Sequence, residues 1–230
     1  MNYAELNQQA AEVVRWNTIA QNGVEDLSED KLVRQLSYVL EECKETVEAS
    51  LAFDSRELAD GVADVFVTLT YAMRILLQGR SVQYMPHVVP DVSEHIPEAA
   101  YSAVGQIGVS LFHMCKRVSM ALEESEALDN ERVAGDLFNQ FNLMLAFYEQ
   151  YFKHCPSVVI RAVLDSNWSK YVAVSDATTP EWIAQEAAWV ETTYNVKDVV
   201  GTVIDGYIVF RDDGGKGKIR KPSSYKDPII

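Results

Sequence analysis

A mainly α protein is predicted: an antiparallel helical bundle with a small β-hairpin and a basic tail at its C-terminus. Three observations predict it. Apolar residues recur every three or four positions through the first three quarters of the chain, start and stop signals for helices fall between those stretches, and beyond residue 200 the pattern changes to a β-like one. Residues 1–170 read as one helical domain. Residues 171–230 read as an extension of a short helix, a hairpin and a tail, packing on that same domain.

Ala4 to Gln21 is the first expected helix, closed by Asn22-Gly23, a pair suited to the left-handed residues that end helices. Ser28 caps a second, which carries Leu32, Leu36, Val39, Cys43 and Val47 on one face. Asp54 followed by Glu57 has the form of a capping box. It opens a third helix with the stripe Leu58, Val62, Val65, Leu69, Met73 and Leu76, which stops at Gly79. Pro86, Pro90 and Pro97 make 80–97 a loop. Helices at 98–126 and 131–153 follow, Pro156 opens a shorter one toward Ser169, and Thr179-Pro180 starts another through Val190. Val203 to Phe210 is β-forming, with Asp205-Gly206 as a hairpin turn. The closing stretch, 214–230, holds five basic residues among Gly, Pro and Ser and reads as a flexible or ligand-ordered cationic tail.

The formal charge of −14 argues against a duplex nucleic-acid binder, which needs a cationic face. The best candidate for a membrane span, Val62 to Leu77, is broken by Asp64, Thr68, Thr70 and Arg74. The N-terminal residues have neither a basic start nor an apolar core, so nothing in them directs secretion and a cytoplasmic location is expected. Cys43, Cys115 and Cys155 have no metal-ligand spacing and read as reduced, mostly buried thiols. His87, His95, His113 and His154 share no spacing either.

An acidic protein acts on phosphates when divalent metals bring the positive charge, so the carboxylates matter most. Glu41, Glu42 and Glu45 cluster on the second helix, where Glu41 and Glu45 lie about 40° apart and Glu42 and Glu45 about 60°. Glu57, Asp60 and Asp64 fall within about 60° of one another on the third, opposite its leucine stripe. A short link makes the two helices antiparallel neighbours that bring the acidic faces together, where the charges repel unless cations neutralise them. Mg²⁺ suits such an oxygen cage. The plainer reading is two solvated faces, with Glu57 completing a capping box. Asp60 and Asp64 resist it better, because Val67, Thr68, Tyr71 and Ile75 continue their face as a packed surface. Gly61 costs about 1 kcal/mol of helix propensity, which a close approach between helices would explain.

Glu41-Glu42-x-x-Glu45, then Glu57-x-x-Asp60 and Asp64, resembles the acidic signature of the all-α NTP pyrophosphohydrolases, the MazG-like, phosphoribosyl-ATP pyrophosphohydrolase-like and dimeric dUTPase-like enzymes. Gly61 replaces the glutamate of the commonest ExxD form, and ADGVADVFVT looks like a phage and bacterial branch carrying D-G-x-A-D. Leu164-Asp165-Ser166-Asn167-Trp168-Ser169-Lys170, Tyr207 to Arg211, Gly217 to Pro222 and Tyr225 to Pro228 are similar to the ending of that branch, interrupted here by an insertion at about 172–200.

The resemblance implies Mg²⁺-dependent hydrolysis of (deoxy)nucleoside triphosphates to monophosphate and pyrophosphate, with Mn²⁺ as a substitute metal and control of the nucleotide pool as the role. Glu42, Glu45, Asp60, Asp64 and Glu57 would hold metal, and Glu41 or Glu45 would orient the attacking water. Lys170, Arg211, Lys218 and Lys221 would steady phosphates, Trp16 and Asn17 would meet the base, and Asn167 a base or ribose edge. Each has a structural alternative: a solvated charge, a core tryptophan, a helix cap. A homodimer or homotetramer in a host cytoplasm, with no membrane partner, completes the expectation. The rival is a non-catalytic nucleotide-binding or protein-interaction regulator of the same fold. A di-iron bundle is set aside because no Glu-x-x-His pair is present.

Overall fold

Capping chemistry and apolar period agree at most helix ends. A computed structural model describes residues 2–86, 97–152 and 155–230. Its helices are α1 (Tyr3–Ala20), α2 (Glu29–Ala52), α3 (Ser55–Leu76), α4 (Pro97–Glu123), α5 (Asn130–Phe152), α6 (Pro156–Trp168) and α7 (Pro180–Tyr194). Its strands are β1 (Tyr171–Ala173), β2 (Val200–Ile204) and β3 (Tyr207–Arg211). The protein is thus mainly α, with a small antiparallel sheet.

Ser28 Oγ accepts the Lys31 amide at 3.2 Å, Asp54 Oδ1 accepts those of Arg56 and Glu57 at 3.0 and 3.1 Å, and Thr179 Oγ1 accepts that of Trp182 at 3.2 Å. α1 closes through Gly23, at φ 81°, whose amide donates to the Thr18 carbonyl at 2.9 Å. α4 ends at Glu123, short of the expected 126, because Ser125 turns left-handed at φ 56° and the Glu126 amide closes the helix on Ala121. The expected loop is described only as far as Pro86, and His87, Pro90, His95 and His154 lie outside the described residues. No helix among the described residues is long and apolar enough to cross a membrane.

Two units pack separately: Met1–Val14 with Asp26–Val163 and Ile230, and Arg15–Glu25 with Leu164–Ile229. In the first, α2 lies against α3 and α4, and α5 lies against those same two helices, closing a four-helix bundle. α3 is buried nearly all round, leaving Asp60, Asp64, Thr68 and Arg74 as its less buried positions beyond the first turn. A Cβ at Gly105 would fall 2.4 Å from Ser50 Oγ and one at Gly108 3.0 Å from Val47, so glycines set the closeness of α4 to α2. Tyr84, fully buried, stacks on Phe66 and shares a 2.7 Å hydrogen bond with Thr70. Arg161 grips Glu12 through two hydrogen bonds of 3.0 and 2.8 Å, tying α6 to α1 inside this unit.

In the second unit the sheet order is β1-β3-β2, all antiparallel. β3 alternates: Ile208 and Phe210 pack with Ala187 and Val190 of α7, while Val209 packs with Tyr171, Ile204 and Ile19. Trp16, Ile19 and Ala20 cover that second face. This is why 15–25 and 164–170 group with the sheet, where the sequence reading placed them in the helical domain. The 172–200 stretch, read as an insertion, supplies α7 and so one face of the core. The hairpin turn is Asp205-Gly206, at φ 47° and 78°, the sign a type I′ turn requires.

The cationic tail, expected to be flexible or ligand-ordered, is tied down. Arg220 bonds Asp212 through two nitrogens, Ser223 bonds the buried carboxylate of Glu186, Tyr225 shares a 3.0 Å hydrogen bond with Ser166, and the Lys226 amide donates to Ser169 Oγ at 2.9 Å. All four of these partners, Asp212, Glu186, Ser166 and Ser169, are polar residues of the earlier chain, which composition alone does not reveal.

Candidate functional site

A polar seam runs between α2 and α3. At one end the buried Gln35 donates to the Thr68 carbonyl at 2.9 Å. At the other, the helices meet so closely that a Cβ on Gly61 would lie 2.7 Å from Thr46 Oγ1 and 3.1 Å from Thr46 Cα. Gly61 is therefore the contact point, as its propensity cost suggested. Thr46 turns its hydroxyl back onto the Glu42 carbonyl at 2.8 Å, and Thr68 does the same to Asp64 at 2.8 Å. Glu42 sits one turn from Thr46 and Asp64 nearly one turn from Gly61, so the antiparallel register sets the two acids against each other.

Glu42 is half-buried there, and its carboxyl is pushed up to about 8, first by burial and then by Asp64, Glu45, Glu41 and Asp60. Asp60 is raised as well, by burial first and then Glu57, against the pull of Arg56. Four of the other five acids thus bear electrostatically on Glu42. Glu57 reaches the group only through Asp60: it is exposed in the first turn of α3. Nor does it complete a capping box by bonding the Asp54 amide, which the Ala49 carbonyl already accepts at 3.0 Å.

The donors offer oxygen only, the set a hard divalent cation takes. A cation beside Glu42 and Asp64 would replace their repulsion with attraction and favour the ionised Glu42. The acids share a surface rather than a closed cage: Glu41 and Glu45 are exposed, and among the described residues no three His, Cys, Asp or Glu stand close enough to hold one ion.

All seven residues that the resemblance assigned to substrate lie in the second unit. Three of them meet. Trp16 donates from its indole nitrogen to the Asn167 carbonyl at 2.9 Å, Lys170 donates to Asn167 Oδ1 at 2.6 Å, and the Lys170 ammonium stands 5.7 Å over the Trp16 ring. Asn17 is buried in α1. Arg211 caps α1 instead, donating to the Ala20 carbonyl and, at 3.2 Å, to Gly217; burial lowers its basicity. Lys221 sits 3.9 Å over the Tyr225 ring and 3.7 Å from Asp227, and Lys218 is exposed.

Sequence reasoning missed Tyr171, which stacks on Trp16 at 5.3 Å and donates to the Trp16 carbonyl at 3.1 Å. β1, only three residues long, leaves no period to detect. It also missed Thr46, whose signal is a small residue on the apolar side of an acidic helix. Compared with protein-family models, curated proteins and solved structures, the chain matches none.

Proposed function

We propose that the chain is a Mg²⁺-dependent nucleoside triphosphate pyrophosphohydrolase, cutting (deoxy)nucleoside triphosphates into nucleoside monophosphate and pyrophosphate and so controlling a nucleotide pool. The observation that carries this reading is the seam where Glu42 and Asp64 oppose each other with Glu41, Glu45 and Asp60 around them. The order of these acids resembles the all-α pyrophosphohydrolase signature and supports the same conclusion.

Bound Mg²⁺, or Mn²⁺ in its place, supplies charge neutralisation for the triphosphate and acidity for a water. Glu42 and Asp64, with Asp60 and Glu45 beside them, would hold the metal. Glu41 or Glu45, both exposed at the edge of the group, accepts the proton of the attacking water. The water oxygen bonds to the α-phosphorus, the bridging bond to the β-phosphate breaks, and pyrophosphate leaves with that electron pair. A cytoplasmic enzyme, assembled as a homodimer or homotetramer, completes the proposal.

The experiment is pyrophosphate release from a panel of NTPs and dNTPs with Mg²⁺, for wild type and Asp64→Ala. Metal-dependent monophosphate production that the substitution abolishes is expected, and the ranking of bases identifies the substrate. No turnover of any nucleotide by folded wild type, with Mg²⁺ or Mn²⁺, refutes the proposal. One observation favours a second reading, a non-catalytic nucleotide-binding or interaction protein: the lack of a closed three-ligand group among the described residues. On that reading any nucleotide binds without Mg²⁺ dependence and leaves intact.

A further inference from the structure

β2 stands at one end of the sheet, paired to β3 alone. The flanks of β3 fix which of its backbone groups point where. Val174 donates to the Gly206 carbonyl at 2.9 Å and Arg220 to the Phe210 carbonyl at 2.9 Å. Gly206, Ile208 and Phe210 therefore turn toward β1's side, and Tyr207, Val209 and Arg211 toward β2. Their partners Ile204, Thr202 and Val200 bond inward. The N–H and C=O of Gly201 and Val203 point out of the sheet, with no backbone partner among the described residues.

Sheet edges of natural proteins are blunted by charge, proline, bulges or shortness. β1, at the other edge, has three residues; β2 has five, uncharged and without proline, and leaves Val200 42% and Val203 56% exposed.

We propose that this edge pairs with the same edge of a second copy of the chain, β2 antiparallel to β2 about a twofold axis through Thr202. Gly201 of one copy then exchanges both hydrogen bonds with Val203 of the other, and symmetry repeats the exchange, so all four outward groups are bonded. The neighbouring registers fail. A twofold through Gly201 sets Val203 against Val199, whose amide already donates to Glu191 at 2.8 Å. A twofold through Val203 sets Gly201 against Asp205, which has left the strand at φ 47°. In the Thr202 register Val200 faces Ile204 and Thr202 faces itself, favourable cross-strand pairs. Asp205 and Asp198 fall opposite Val199 and Gly206, so no like charges oppose. Twofold pairing closes on itself and gives a dimer rather than a fibre. Five residues of edge bury less than the roughly 1,200 Å² of a standard interface, so the dimer forms at high concentration. Nothing in this depends on catalysis.

Sedimentation over a concentration series, with amide exchange read by NMR, tests the pairing. The sedimenting mass is expected to rise from monomer to dimer. Exchange at the Gly201 and Val203 amides slows in proportion to the dimerised fraction, while the Thr202 amide, bonded to β3, does not change. Val203→Lys, at an exposed side chain, stays monomeric with an unchanged circular dichroism spectrum. Three results each overturn the proposal: a wild type that is monomeric throughout, an oligomer that survives Val203→Lys, or exchange at Gly201 and Val203 independent of concentration. Should Val203→Lys fail to fold, the wild-type exchange profile decides alone.

Discussion

Glu42→Gln puts the acidic seam to a stability test. Burial and four neighbouring acids raise the Glu42 carboxyl from 4.5 to about 8, so the metal-free protein carries it protonated at neutral pH. A carboxyl raised on folding gives its full contribution below about pH 4.5 and loses it as pH climbs to about 8, because the unfolded chain ionises first. At about 1.4 kcal/mol for each tenfold change in the proton equilibrium, the interval sets a ceiling of about 5 kcal/mol. The side chain is only half-buried, and solvent screening brings this to roughly 2 kcal/mol. Glutamine keeps the shape and stays neutral. The assay is urea unfolding in chelator at pH 5, 7 and 8.5. The two proteins are expected to match at pH 5, and the variant to be the more stable at pH 8.5 by about 2 kcal/mol. Mg²⁺ should then raise the stability of wild type and leave the variant nearly unmoved, since a ligand stabilises only the state that binds it. Parallel unfolding curves for the two proteins across this range would refute the crowding of acids at Glu42.

The remaining expectations concern packing. Gly61→Ala drives a methyl into Thr46 and should destabilise by about 1–3 kcal/mol, outweighing a propensity gain of about 1 kcal/mol; a raised urea midpoint would contradict the close approach. Arg211→Met removes the donor to the Ala20 and Gly217 carbonyls and should cost about 1.5–3 kcal/mol in chemical denaturation, leaving Mg²⁺ affinity by calorimetry unchanged. Tyr84→Phe orphans the buried Thr70 hydroxyl and should cost about 1–2 kcal/mol, measured in the same way.

The bundle was legible because its information is local. Ser28, Asp54 and Thr179 cap where their side chains suggest, and the α3 stripe is buried throughout. The acidic group was legible for a related reason: helical spacing places Glu42 and Glu45, or Asp60 and Asp64, on one face without any tertiary knowledge. What pairs across long separations was not. The Arg211 guanidinium reads as a free cation until α1 is seen to end beneath it, and the tail reads as mobile until Glu186 is seen to accept from Ser223. β1 escaped because three residues carry no period.

The seam is where local rules fail together. Gly61 spends helix propensity in the middle of α3, Glu42 sits half-buried among four like charges, and Thr46 and Thr68 turn their hydroxyls onto the backbone beside the two opposed acids. Each choice weakens the fold, and all occur within a few turns of the same helix pair. That these choices gather around the two opposed acids is the physical support for the metal site proposed above. The cations of the second unit point the other way: Arg211, Arg220 and Lys221 all satisfy groups of their own unit. If the seam takes Mg²⁺, binding offsets the repulsion among its acids, and at pH 8.5 the metal-free protein should be measurably less stable than its Glu42→Gln variant.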